Sequence, residues 1–117
     1  MNTLRAFIAI ELPRDILRLM EQVQAQLKSA VPPGIVRWVH VDGIHLTLKF
    51  LGAVPASQLD VLTSALSAAA QHVEAFTLAV GSVGCFPDVK HPRVVWVGIH
   101  EPSGRLNSLQ RAVESNV

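Results

Sequence analysis

The sequence predicts an α+β fold, with elements in the order β-α-β-β-α-β-β-α and helices on one face of mostly antiparallel strands. Three observations carry this. Polar and apolar residues alternate through Ile44-His45-Leu46-Thr47-Leu48-Lys49-Phe50-Leu51, the period of a strand with one buried face. Apolar stripes at +3 and +4 spacing mark three helices. Half of the 117 residues are hydrophobic and 16% are charged, which supplies a core and argues against a disordered chain.

The first strand is the apolar run from Leu4 to Leu12. Pro13 suits the first turn of a helix and Asp15 its positive end. Ile16, Met20, Val23 and Leu27 form the stripe of that helix, which ends before Pro32-Pro33-Gly34. Ile35 to Val41 reads as a short strand, and Asp42-Gly43 as a hairpin turn into the His45 strand. Gly52 closes that strand. Pro55 and Ser57 open a second helix, with Ser57 and Asp60 at capping-box spacing and a stripe of Leu59, Leu62, Leu66, Ala69 and Val73. Phe76 to Val83 alternates as a strand, broken at Gly84-Cys85-Phe86-Pro87-Asp88. Arg93 to Ile99 is the last strand, dense in β-branched residues. Pro102 and Ser103 start a third helix with the stripe Leu106, Leu109 and Val113.

Composition excludes several function classes. A net charge of +1 argues against a large nonspecific nucleic-acid footprint but leaves room for a site for one phosphate. The single cysteine, Cys85, rules out an internal disulfide framework, and no four-ligand zinc pattern exists. The apolar stretch from Phe7 to Ile10 is broken by Glu11 and Pro13, too short for a signal peptide or a membrane span. The expectation is a cytoplasmic protein with no membrane association.

The exposed side of the central strand carries an imidazole and, two positions on, a hydroxyl, about 6.6 Å away at roughly 3.3 Å per residue. Lys49 adds an ammonium to the same face. Such a set suits acid/base work and anion binding, although His45 could equally be a hydrogen-bonded structural histidine and Thr47 an ordinary strand residue.

Four segments together are similar to a known family. Arg5-Ala-Phe-Ile-Ala-Ile-Glu-Leu-Pro resembles the opening of the 2'-5' RNA ligase-like proteins, RNA 2',3'-cyclic phosphodiesterases of the two-histidine phosphoesterase superfamily. His45-Leu46-Thr47-Leu48-Lys49-Phe50-Leu51-Gly52 looks like the first His-x-Thr-x motif of that family. Gly84-Cys85-Phe86-Pro87 and Arg93-Val94-Val95-Trp96-Val97-Gly98 match two further segments in order.

The resemblance implies a two-lobed fold of antiparallel sheets flanked by helices, with one such motif in each lobe facing a shared cleft. This sequence holds one motif. His40, His72, His91 and His100 are followed two positions later by Asp42, Glu74, Arg93 and Pro102. Residues 1–117 therefore read as a single domain of this kind, incomplete at the C-terminus.

The implied reaction opens 2',3'-cyclic phosphates at RNA ends, giving 2'-phosphomonoesters, without metal or cofactor, with 2'-5' ligation as an accompanying or reverse reaction. Its partners would be RNA ends or nucleotides with a 2',3'-cyclic phosphate. One histidine acts as base on water and the other as acid on the leaving ribose oxygen, and the resemblance gives His45 the acid role. Thr47 would donate to a phosphate oxygen. Lys49, Arg93, Arg5 and Phe7 are the candidate substrate contacts, with Phe7 as a base-stacking surface or a core residue. Trp38 and Trp96 read as core or cleft wall. The rival reading is a non-catalytic RNA- or nucleotide-binding half-domain, or an inactive fragment.

Overall fold

A computed structural model describes residues 2–86, 90 and 94–117. The strands are β1 (Thr3–Glu11), β2 (His45–Pro55), β3 (Ala79–Phe86) and β4 (Val94–His100). The helices are α1 (Arg14–Ala30), α2 (Leu59–Ala70) and α3 (Arg105–Asn116). The expected α+β class is present, as two two-stranded sheets, β1 with β2 and β3 with β4, and three helices. The chain divides into two compact units.

The first unit comprises Met1–Ile10, Leu46–Thr77 and Glu101–Val117. The Ala56 amide donates to the Asn2 carbonyl at 2.9 Å, so the end of β2 meets the start of β1 and the two run antiparallel. Its core is Ile8 from β1, Val54 from β2, Ala69 from α2 and Val113 from α3, the last with 0% exposure. Gly52 does not end the strand. It takes φ +75, a conformation that glycine adopts at no steric cost, and β2 runs on to Pro55. Helix α2 starts at Leu59 after a 3-10 turn, Ala56–Gln58, and its N-cap Gln58 makes no side-chain cap bond. The expected Ser57–Asp60 capping box does not form.

Helix α3 begins three residues later than Pro102, and a carboxylate organises its start. Glu101 accepts from the Ser103 amide at 3.1 Å and from the Leu106 amide at 3.1 Å, and also from the Ser103 hydroxyl. These donors, the hydroxyl foremost, hold the Glu101 carboxyl below the usual glutamate range.

The second unit comprises Glu11–His45 and Leu78–His100. The α1 stripe of Ile16, Met20 and Val23 lines a cavity of about 280 Å³ with Val80, Val83 and Val97 of the β3–β4 sheet. Two expectations are corrected here. Residues 35–41 are not a strand. Gly34 turns the chain at φ +84, the Gln24 amide donates to the Val39 carbonyl at 2.8 Å, and Val41–Gly43 is a 3-10 turn with Val41 buried. With the Val39 carbonyl held by a side chain of α1, the expected hairpin into β2 is replaced.

The other correction concerns β3, which starts three residues later than expected and includes Gly84, Cys85 and Phe86. The antiparallel register pairs Gly84 with Trp96, and a Cβ at 84 would overlap the Trp96 indole. Glycine is there to let the ring lie across the strand, not to break it. A bulge between Gly81 and Val83 gives Ser82 a φ of 58. Opposite it, a Cβ at Gly98 would sit 2.9 Å from the Gly81 carbonyl oxygen.

Candidate active site

His45 is the first residue of β2, and a closed turn delivers the chain to it. The Gly43 amide donates to the His40 carbonyl and the Ile44 amide to the Val41 carbonyl, both at 2.9 Å. The His45 side chain is exposed and Thr47 is half-buried. Beside the turn, Asp42 pairs with Arg14 at 3.2 Å and lies 3.6 Å from His40 Nδ1. The sequence marked Asp42 only as a turn residue. Its ionic role had no signal at the level of spacing, because Arg14 is 28 residues away.

Lys49 was expected as a cation for substrate. Its Nζ instead donates to the carbonyls of Glu114 at 3.2 Å and Val117 at 3.1 Å, with the Glu114 carboxylate at 3.9 Å. The last carbonyls of a helix have no intrahelical partner and carry the negative end of its dipole. A 20% exposed ammonium meets both needs, so Lys49 ties β2 to α3.

The two sheet faces separate the remaining candidates. The rings of Phe7 and Phe50 meet with centroids 6.2 Å apart and planes at 51°, which requires one shared face. Alternation along β2 puts Thr47 and Lys49 on the face opposite Phe50. Arg5, exposed, shares the Phe7 face of β1, while Ile8 is buried on the other. The structure thus brings neither Arg5 nor Phe7 to the His45–Thr47 side of the strand. Phe50, expected on a buried face, is 77% exposed, while Leu46 and Leu48 of the same face are half-buried. Arg93 lies outside the described residues.

Among the described residues no group of three or more His, Cys, Asp or Glu side chains could hold a metal ion. No helix among them is long and apolar enough to cross a membrane. Cys85 is a half-buried free thiol.

The family model for LigT-like phosphoesterases matches residues 10–96. The chain belongs to this family. Among its relatives, the RNA 2',3'-cyclic phosphodiesterase of Aquifex aeolicus is 28% identical over 113 residues, covering 97% of this chain and 58% of the relative. The Escherichia coli K12 protein of the same name is 35% identical over 111 residues, covering 95% and 58%. A crystal structure of E. coli LigT complexed with NADP+ superposes with a TM-score of 0.74 at 30% identity, covering 98% of this chain and 63% of that one. A complex of LigT with 3'-AMP gives 0.73 at 29%. The chain thus spans less than two thirds of the length of these LigT-like relatives.

Proposed function

We propose that this chain contributes to hydrolysis of 2',3'-cyclic phosphates at RNA ends, with His45 and Thr47 as the reacting pair. The observation that carries the reading is a His-x-Thr pair at the head of a strand, within the segment that matches the LigT-like family. The names of the relatives and the nucleotide complexes of LigT support the substrate class.

In the reaction, water adds to phosphorus and the P–O3' bond breaks, leaving a 2'-phosphomonoester. One group takes the proton of the water and another gives a proton to O3'. An imidazole suits either task, because its ordinary pKa of about 6.5 leaves both forms present near neutrality. We assign His45 the donation to O3'; in 2'-5' joining, a 5'-hydroxyl takes the place of water, the same P–O3' bond breaks and His45 again gives the proton to O3'. The Thr47 hydroxyl donates to a nonbridging phosphate oxygen, where charge develops. Neither role calls on a metal ion.

A second reading rests on one observation: the sequence holds a single His-x-Thr motif. On that reading His45 and Thr47 bind a terminal phosphate, and the second proton carrier is not part of this chain. Calorimetric titration with a nucleoside 2'-phosphate tests the common ground. Thr47→Ala should weaken binding by about 1–3 kcal/mol, the cost of leaving an anion one donor short. Unchanged affinity would remove Thr47 from the site.

A further inference from the structure

Alongside the turn that precedes His45, the second unit holds a groove of about 570 Å³. That is within the roughly 300–1,000 Å³ of small-molecule sites. Arg14, Glu21 and Lys28 of α1 line it on one side, and Trp38, His40 and Asp42 on the other. More of its exposed lining is polar than apolar, unlike the apolar cavity of about 260 Å³ that Trp38 also lines. Trp38 is half-buried and lines the groove.

We infer that this groove binds the nucleotide immediately 5' of the reacting RNA end, with its base against Trp38 and its phosphate at Lys28. The identity of the ligand rests on the phosphodiesterase reading; the groove itself does not.

Three features select a nucleotide. An aromatic ring in the lining of a groove can stack any nucleobase. Lys28 is exposed and has no hydrogen-bond or ion-pair partner among the described residues, whereas Arg14 is paired with Asp42 at 3.2 Å. Lys28 and Arg14 are equalled in number by Glu21 and Asp42, with Arg14 and Asp42 paired, so the groove has no excess of cations to track a long polyanion. It offers one unpaired cation for one phosphate, with acceptors at Glu21 and Asp42 for base or ribose donors. Position also fits. Asp42 and His45 are three residues apart, at most about 11 Å of extended chain, so a strand with its end at His45 has its next nucleotide within reach.

The test is calorimetric titration of the 117-residue chain with a nucleoside 2'-phosphate and with a trinucleotide ending in a 2'-phosphate. One stacked base should make the trinucleotide bind roughly 5- to 150-fold tighter. Lys28→Glu should remove most of that gain and flatten its salt dependence, with mononucleotide affinity unchanged. Trp38→Ala should do the same, and Trp38→Phe should restore stacking; Lys28→Glu alone carries the test if Trp38→Ala does not fold. Equal affinities for the two ligands, no binding of either, or a gain that survives Lys28→Glu would overturn the groove. A trinucleotide that binds through Lys28, with no loss in His45→Ala or Thr47→Ala, would keep the groove and reject the reacting pair.

Discussion

Lys49 and Glu114 join the middle of β2 to the last turn of α3, the ammonium lying 3.2 Å from the Glu114 carbonyl oxygen. The contact gives Lys49, a candidate substrate cation by sequence, carbonyl partners at the end of α3. Lys49→Met keeps the stem and removes the charge. It should cost about 1.5 kcal/mol, the low end for hydrogen bonds to a charged group, and speed amide exchange in the last turn of α3. Affinity for a nucleoside 2'-phosphate should stay constant. A variant of full stability that has lost nucleotide affinity would return Lys49 to the site.

Gly84 and Trp96 make a comparable prediction in the other unit. A methyl group at 84 has to displace the indole, and overpacking of this kind costs typically about 1–3 kcal/mol. Gly84→Ala should therefore lower the denaturation midpoint and shift Trp96 fluorescence. Loss of stability without a fluorescence change would place the strain elsewhere.

Val113 and Phe50 should rank in the reverse order of their size. Val113 is fully buried and Phe50 is 77% exposed. Val113→Ala should cost about 2 kcal/mol, at the lower edge of large-to-small core substitutions. Phe50→Ala should cost less than about 1 kcal/mol, against 3–5 for a phenylalanine in a core. Denaturant titration of the two variants checks the order.

Glu101 makes the N-terminus of α3 sensitive to acid. Its carboxyl is held below the ordinary glutamate value, chiefly by the Ser103 hydroxyl and then by backbone amides. A depressed folded-state value means that the contribution is complete above the ordinary glutamate pKa and is lost as pH falls through the lower, folded one. Amide exchange at Leu106 should accelerate over that interval, and Glu101→Gln should remove most of the pH dependence.

Strand β2 and the helices were legible because both depend on local period: alternation for β2, stripes for α1, α2 and α3. What escaped was set by partners distant in sequence. Residues 35–41 have the composition of a strand, yet Gln24 of α1 takes the Val39 carbonyl. Gly84 reads as a breaker until Trp96 is seen opposite it. The alternation in β2 separated His45, Thr47 and Lys49 from Phe50 but could not say which side α3 would meet. For that reason the contact of Lys49 with α3 and the pairing of Phe7 with Phe50 are not readable from spacing.

The central claim is that the His45 imidazole carries a proton in opening the cyclic phosphate. The most direct measurement is single-turnover hydrolysis of a 2',3'-cyclic nucleotide, in the presence of a chelator, by a protein extended through a second His-x-Thr motif and by its His45→Ala variant. Substitution should lower the rate by about 10²–10⁴, the usual contribution of one positioned acid or base. Equal rates for the two proteins would contradict it.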